Sequence, residues 1–426
     1  MTAAPLPVAS AHRAVFVLAM AQATAMICNS IMILTSALTG QMLAPDTGQA
    51  TLPLACQFIA TMLTTFPASF LMKRIGRKRG FMIGAFIGIV GGLVMAAATY
   101  VGSFWLFTFG NAIFGISAAF TLFYRFAAAE AADDAFRPRA ISLVMAGGVI
   151  AALLAKPLAI YGQDLLLPHL FAGGFLFIVG LSVLVVIMLL PLDLPHVADT
   201  RHGDVHGLPR PLAVIVLQPR ALSAIVAAML GYGVMSFIMT ATPLAMKFCG
   251  FVLGPGPDSV IDFDLGFGAT VLPFRFISGI GDVIQWHVLA MFAPSFVTGH
   301  IIRRFGEFKV MATGVLCYAV CIAIGMSGVA IDHFWLALVL LGLGWNFLYV
   351  AGTSQLTKCY RPSERAKIQA FNDCMIFSGV ALCSYIAGTV EQAFGWDWVL
   401  RGAIVPVLLI ALALAFGWRR ERAIAV

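Results

Sequence analysis

Apolar runs of about 20 residues follow one another along almost the whole chain, from Val15 to Trp418. A helix needs about 20 mostly apolar residues to cross the hydrocarbon core of a bilayer, because each residue adds only about 1.5 Å of rise. Charged residues make up 11% of the chain, whereas soluble domains carry about 25%. A soluble core is therefore excluded, and we predict an all-α membrane protein.

Short polar breaks divide these runs into twelve predicted transmembrane helices. The first run is too long for the core of a signal peptide, so we expect it to be an uncleaved anchor. The predicted spans are 15–38, 50–72, 80–101, 103–125, 140–162, 170–191, 221–245, 282–302, 310–331, 334–356, 367–390 and 398–418.

Basic residues fall mainly in the loops on one side of this predicted bundle. Of the 26 lysines and arginines, all lie on that side except Lys156, Lys247, Arg275 and Arg401. Positive loops resist translocation, so we predict that this side and both termini are cytoplasmic. The net charge of +7 thus reflects topology, and no nucleic-acid partner is expected. The expected location is a bacterial inner membrane, or a compartment derived from it, with the lipid bilayer as the surrounding partner.

Two loop segments recur at a nearly constant offset. Lys73-Arg74-Ile75-Gly76 after helix 2 is echoed by Arg303-Arg304-Phe305-Gly306 after helix 8, and the segment 136–140 before helix 5 is echoed by 360–366 before helix 11. Internal repeats of this kind are typical of transporters. We therefore predict two six-helix halves, 1–191 and 221–426, joined by a cytoplasmic linker, 192–220, that could also contact other membrane proteins.

The turn after helix 2 resembles the signature loop of the major facilitator superfamily, G-x-x-x-D-R-x-G-R-[RK]. Ser69 and Lys73 depart from that pattern at the first glycine and at the acid. The Arg-x-Arg-Ala segment before helix 5 and its copy before helix 11 are also similar to this superfamily, so the resemblance covers almost the whole chain. It implies the major facilitator fold and a conformational latch at the matching residues of both loops, which are Arg74, Gly76, Arg77, Arg303, Arg304 and Gly306.

Other superfamily motifs are incomplete in this chain. Asn111 stands where many members have an arginine linked to proton transfer, and the antiporter pattern of helix 5 survives only as Gly147 and Pro157. Drug–proton antiport is therefore not supported. The segments 291–296 and 342–347 resemble a bacterial branch that is similar to flavin importers and magnetosome-membrane permeases.

Neutral polar residues lie inside several predicted spans. In the superfamily fold, helices 1, 4, 7 and 10 line the central cavity, and this resemblance implies a substrate site near the middle of the membrane. Such hydrogen-bonding groups suit a polar or aromatic substrate, although they also commonly bond neighbouring helices to one another. The candidate cavity residues are Asn29, Asn111, Thr240, Thr242 and Asn346.

Ionisable residues within spans are costly and usually face a cavity or a partner. Asp373 is a candidate proton or cation site, with an ion pair to Arg365 as the alternative. Lys156 is expected either to reach the outer surface, or to face inward and meet an anionic substrate or an acid of the other half. His287 has a side chain suited to proton coupling, with a hydrogen-bonded histidine beside Trp286 as the alternative.

The loop 250–281 is far longer than a connection between helices requires, and it carries Asp258, Asp262 and Asp264. Carboxylate oxygens suit hard cations, so these three residues form a candidate metal site. No nucleophile with a base and no phosphate-binding loop is present in the sequence, so neither an enzyme nor an ATP-driven pump is predicted, and no cofactor is expected.

These observations predict a secondary active transporter that works by alternating access. Iron is the favoured substrate, because of the acidic outer loop and the permease resemblance. A riboflavin-like importer is the alternative, favoured by the neutral polar and aromatic residues of the cavity helices. A membrane receptor or assembly factor that has lost transport is the alternative of another class.

Overall fold

The computed structural model describes residues 8–132, 137–192, 210–251, 279–361 and 364–424, and these residues form an all-helical bundle. The helices of the first half are α1 (Val8–Leu43), α2 (Leu52–Ile75), α3 (Arg77–Val101), α4 (Phe104–Thr121), α5 (Tyr124–Ala131), α6 (Arg137–Asp164) and α7 (Ala172–Leu189). The helices that follow are α8 (Leu212–Val216), α9 (Pro219–Phe248), α10 (Ile280–Phe292), α11 (Ser295–Phe305), α12 (Glu307–Ser327), α13 (Ile331–Thr357), α14 (Arg365–Phe394) and α15 (Trp396–Ile424).

Eleven of these helices are long and apolar enough to cross a membrane by themselves. The pair α10 and α11 passes the same test together and is bent by 44°. Counting that pair as one broken span gives twelve, in agreement with the number predicted from the sequence.

Two predicted spans are each interrupted by a break in the structure. The predicted span 282–302 is broken between Phe292 and Ser295, because Pro294 cannot donate a backbone hydrogen bond and its ring crowds the preceding turn. The predicted span 103–125 ends at Thr121, and α5 begins at Tyr124. At this second break the Thr121 hydroxyl donates to the Ala118 carbonyl at 2.8 Å, in competition with the regular helical bonds.

The two repeated loops have the same backbone geometry. Gly76, between α2 and α3, has φ 88° and ψ 154°, and Gly306, between α11 and α12, has φ 83° and ψ 157°. This region of φ and ψ is accessible essentially to glycine alone. The sequence repeat is therefore also a structural repeat.

The helices pack through small residues, around one apolar core that runs through both halves and a second that lies in the first half. Gly147 marks the place where α6 crosses α1, since a Cβ atom there would lie 2.8 Å from the backbone nitrogen of Ala23. The surviving glycine of the helix 5 pattern thus permits a close helix crossing. Between the halves, α2 packs against α14 and α6 packs against α10.

We call the end of the bundle that carries the two glycine turns the basic end, and the other the opposite end. Hydrogen bonds join the two halves at the opposite end. The Thr51 hydroxyl donates to the Tyr385 carbonyl and accepts from the Gly388 amide, both at 3.2 Å, and Lys247 donates to the Gln41 side chain at 3.0 Å. The halves are thus held together at the end remote from the basic loops.

Candidate functional site

A cavity of about 190 Å³ lies between the two halves. It has room for several water molecules, at about 30 Å³ each, so it is a true cavity and not a packing defect. Its walls come from all seven helices of the first half, α1 to α7, and from α9, α10 and α14 in the second. All of the described side chains that line it are uncharged.

Two amide side chains meet at the wall of the cavity. Asn29 of α1 and Gln57 of α2 both line it, and Gln57 Nε2 donates to Asn29 Oδ1 at 3.0 Å. The sequence predicted Asn29 at this place, but Gln57 was not among the candidates. The signal that could have identified it is a neutral amide in the middle of the second predicted span.

Aromatic rings form much of the remaining wall, among them Phe58, Phe114, Tyr232, Phe292 and Phe377. A second layer of rings supports them. Trp345 and Tyr349 of α13 stack with their centroids 4.9 Å apart and their planes at 9°. Tyr232 meets both rings edge-on, at 5.3 and 5.8 Å. The cavity therefore offers flat apolar surfaces beside a pair of amides.

The other predicted cavity residues are buried away from the cavity wall. Asn111 accepts from the Ser36 hydroxyl of α1 at 3.0 Å and donates to the Phe107 carbonyl at 2.9 Å. Thr242 donates to the carbonyl of Ile238 in its own helix, and Thr240 has no hydrogen-bond partner among the described residues. Asn111 and Thr242 fit the alternative interpretation of bonding within and between helices, Thr240 does not show such a bond, and contact of all three with substrate stays a prediction.

Asn346 of α13 lies at the break between α10 and α11. Its amide nitrogen donates to the Met291 carbonyl and to the Ser295 hydroxyl, and its oxygen accepts from the Thr298 hydroxyl, each at 2.7 Å. A broken helix leaves backbone carbonyls without their usual donors, and an apolar interior supplies no others. Asn346 therefore stabilises the bent span, which matches the alternative interpretation of bonding between neighbouring helices, and its contact with substrate stays a prediction.

Lys156 of α6 forms a salt bridge with Asp282 of α10. The side chains are 19% and 4% exposed, so this ion pair between the two halves is largely shielded. The sequence left the two orientations of Lys156 open, and the structure has it meeting an acid of the other half. Asp282 itself was not a candidate residue.

His287, also in α10, is fully buried. Its Nδ1 lies 2.8 Å from the Leu338 carbonyl, and its Nε2 has no hydrogen-bond partner among the described residues. The side chain is not part of the cavity wall described above. The bond to Leu338 matches the alternative of a hydrogen-bonded histidine, and a coupling role stays a prediction.

Asp373 of α14 faces a cation of the first half. Arg125 of α5 hydrogen-bonds to the Tyr349 side chain, and its charge acts on Asp373. The amide of Asn372 also donates to Asp373 at 3.3 Å. From the sequence, Arg125 is one of the basic residues of the cytoplasmic side, yet the break after α4 brings it to the interface between the two halves. The alternative partner, Arg365, has no described side chain.

The predicted latch residues lie at the basic end, where the side chains of Arg74, Arg303 and Arg304 are exposed. Arg304 lies over the ring of Phe305, 5.5 Å from its centroid. Asp258, Asp262 and Asp264 lie outside the described residues. Among the residues that are described, no group of three or more histidines, cysteines, aspartates or glutamates could hold a metal ion.

The end of the linker is fixed to the second half by Glu364, just before α14. The guanidinium of Arg210 donates to both oxygens of Glu364, at 2.8 and 2.6 Å, and the backbone amides of Arg210 and Arg361 donate to it at 2.9 Å. Glu364 is fully buried. These charge-assisted bonds from Arg210 hold the pKa of the Glu364 carboxyl well below its usual range.

The chain is similar in sequence to several known proteins. The sequence matches the family described as Major Facilitator Superfamily over residues 15–284 and 264–425. Riboflavin transporter RfnT of Brucella anthropi is 37% identical over 407 residues, which cover 95% of this chain and 96% of that protein. The uncharacterized MFS-type transporter YdeG of Bacillus subtilis is 26% identical over 410 residues, covering 90% and 86%.

Solved transporter structures share the fold at low sequence identity. The POT family transporter PepTSo aligns with a TM-score of 0.71 at 12% identity, over 96% of this chain and 98% of that chain. The nucleoside transporter NupG aligns with a TM-score of 0.67 at 14% identity, over 95% and 98%. The structural likeness establishes the architecture, and at such low sequence identity it leaves the substrate open.

Proposed function

The chain belongs to the major facilitator superfamily and is a multi-pass secondary transporter of a small molecule, and on that premise we propose that it carries riboflavin or a close flavin relative. The observation that carries this proposal is the 37% identity to a riboflavin transporter along nearly the full length of both chains. A match of that extent includes the helices that line the cavity. Transport was the leading prediction from the sequence, with iron as its favoured substrate and a flavin as the alternative.

The chemistry of the cavity supports a flavin. Riboflavin is a flat, uncharged ring system with a polar edge and a polyhydroxylated chain. Rings such as Tyr232 and Phe377 provide apolar faces for a planar molecule, while Asn29 and Gln57 provide neutral hydrogen-bonding groups. A wall without charged side chains suits an uncharged substrate better than a metal cation.

The contacts between the halves support alternating access around this cavity. Lys156 and Asp282, together with the bonds of Thr51 to α14, hold the halves together at the opposite end. These contacts join groups on different halves, so they must break when that end opens. We propose that the Lys156–Asp282 ion pair stabilises the arrangement closed at the opposite end, and that Asp373, beside Arg125, couples the cycle to a proton or cation gradient.

The iron hypothesis gains no support from the described residues. Its candidate ligands Asp258, Asp262 and Asp264 lie outside them, and no described residue of the cavity wall has a carboxylate. A magnetosome location likewise has no supporting observation. The receptor alternative differs from transport in one measurable property, because a receptor binds its ligand without net movement across the membrane.

The experiment is flux into proteoliposomes that contain the purified protein. We expect radiolabelled riboflavin to enter against a concentration gradient when an ion gradient is imposed, with unlabelled riboflavin as an effective competitor and protein-free liposomes as the control. Binding without flux would favour the receptor alternative. Uptake of ferric or ferrous iron without uptake of riboflavin would overturn the flavin proposal.

A further inference from the structure

The amide pair at the cavity wall has unused hydrogen-bonding capacity. Gln57 is only 1% exposed, yet its Oε1 has no hydrogen-bond partner among the described residues. The Nδ2 of Asn29 makes no hydrogen bond to another described residue, although Asn29 lines the cavity. A buried amide oxygen without a donor costs free energy, so a group of this kind is expected to serve a ligand.

The pattern that the pair offers does not depend on how the two amides are assigned. As placed, Gln57 Nε2 donates to Asn29 Oδ1, which leaves an acceptor on Gln57 and a donor on Asn29. If both amides were turned over, the bond would reverse and leave a donor on Gln57 and an acceptor on Asn29. In either case the pair offers one donor beside one acceptor.

The backbone around Gln57 fixes the position of this side chain. The Gln57 carbonyl accepts from the Thr61 hydroxyl at 2.9 Å, and the same hydroxyl lies 2.9 Å from the Gly115 carbonyl of α4. A Cβ atom at Gly115 would lie 2.2 Å from the Gln57 carbonyl oxygen, so α2 and α4 approach as closely as two backbones can. Such a site is preorganised, because its position is set by packed helices.

We propose that Asn29 and Gln57 together bind the imide edge of the substrate, with one amide donating to an imide carbonyl and the other accepting from the imide N–H. This inference rests on the proposed function and specifies which part of the flavin is recognised. The pyrimidinedione edge of the isoalloxazine carries an N–H between two carbonyls, which complements one donor beside one acceptor. The protein would therefore select planar heterocycles that carry an intact cyclic imide.

The experiment compares competitors for riboflavin binding to the purified wild-type protein. N3-methylriboflavin has lost the imide N–H and keeps the rest of the molecule, whereas a flavin altered at position 8 is changed at the far end of the ring system. We expect the N3-methyl compound to bind at least about tenfold more weakly than riboflavin, since a buried polar group would be left without its partner. The position 8 analogue should bind within about threefold of riboflavin.

A variant ties this discrimination to Gln57. In Gln57→Leu the affinity ratio of riboflavin to N3-methylriboflavin should fall toward one, even if both bind more weakly. In the control Thr108→Val, which removes a buried hydroxyl of α4 that donates to the Phe104 carbonyl and does not line the cavity, the ratio should stay at the wild-type value.

Two results would overturn the inference while leaving the proposed function intact. One is equal competition by riboflavin and N3-methylriboflavin at the wild-type protein. The other is an unchanged ratio in Gln57→Leu. A wild-type protein that does not bind riboflavin at all would overturn both the inference and the proposed function.

Discussion

Lys156 in α6 and Asp282 in α10 form an ion pair that joins the two halves of the bundle. Each member of the pair belongs to a helix that also lines the central cavity, α6 through Ala151 and α10 through Val288. A shielded pair of opposite charges is strongly favoured while both members are present, and it leaves a costly charge behind when one is removed. Substitutions of Lys156 and Asp282 therefore test what holds the two halves together at the opposite end.

Removing the lysine should destabilise the closed arrangement. In Lys156→Met, Asp282 loses the ion pair with Lys156 while it is only 4% exposed. We expect the free energy of unfolding to fall by on the order of 3 kcal/mol. Thermal unfolding of the purified protein and the rate of riboflavin uptake measure this effect. The double variant Lys156→Met with Asp282→Asn should recover much of the stability, because the buried carboxylate charge is removed together with the cation.

A matched control for that prediction is Arg401→Met. Arg401 pairs with Asp397 at 3.3 Å, but both side chains are about half exposed. We therefore expect Arg401→Met to lower the free energy of unfolding by less than about 1 kcal/mol. Equal losses of stability in the two single variants would show that the Lys156–Asp282 ion pair contributes no more than an exposed one.

Replacing Asp373 should separate exchange from gradient-driven uptake. Asp373 faces Arg125 of the other half and is an acid within a span. In Asp373→Asn we expect accumulation driven by a gradient to fall at least about tenfold, while exchange of labelled for unlabelled riboflavin continues, because exchange needs no net ion movement. Asp332→Asn, an exposed acid in the first turn of α13, is the control. Accumulation at the wild-type rate in Asp373→Asn would show that Asp373 is structural.

The glycine turns should not tolerate a side chain. Gly306 has φ 83° and ψ 157°, and a residue with a Cβ atom in this region carries strain of about 1–3 kcal/mol. Gly306→Ala should therefore lower the melting temperature, and Gly76→Ala should do the same because its geometry is the same. Gly180 in α7 has open space around its Cα, so Gly180→Ala should be neutral or stabilising by up to about 1 kcal/mol. A loss at Gly180 as large as that at Gly306 would contradict the strain argument.

The Arg210–Glu364 ion pair should make a pH-dependent contribution to stability. The pKa of Glu364 lies well below its ordinary value of 4.5 because Arg210 donates to the carboxylate. A depressed pKa stabilises the folded state above the unfolded value, and that stabilisation is lost as the pH falls through the folded value. Glu364→Gln should therefore melt below wild type by a constant margin from about pH 5 to pH 8, and the margin should narrow below about pH 4.5.

The partner of Glu364 gives an independent check on this ion pair. Arg210→Lys keeps the charge but loses the bidentate geometry, so it should have an intermediate effect on the melting temperature. A margin between wild type and Glu364→Gln that grows under acid conditions would reverse the expected sign and refute the assignment.

The orientation of the bundle follows from the basic loops and can be tested by reporter fusions. If positive loops stay in the cytoplasm, a reporter inserted at Thr200 and one fused after Val426 should give cytoplasmic signals, and a reporter at Ser259 should give an external signal. These three sites lie outside the described residues, so the prediction rests on the sequence alone. A cytoplasmic signal at Ser259 would contradict the predicted topology.

The sequence by itself determined the class of protein, the number of spans and the repeat. Apolar runs of membrane-spanning length are a local property, because a backbone in hydrocarbon must satisfy its own hydrogen bonds and can do so as a helix. The turns at Gly76 and Gly306 are equally local, since their conformation depends on the absence of a Cβ atom. These features needed no knowledge of which helix packs against which.

Only the tertiary structure decided which polar side chains meet. Asn29, Asn111 and Asn346 are equivalent by residue type, yet only Asn29 lines the cavity described here, while the other two bond neighbouring helices. The rotation of each helix about its axis sets that difference, and rotation depends on contacts with all of its neighbours. The sequence did not indicate the roles of Gln57, Arg125 and Asp282 for the same reason, because each role depends on a partner in another helix. Gln57 meets Asn29 within the first half, whereas Arg125 and Asp282 have partners across the interface between the two halves.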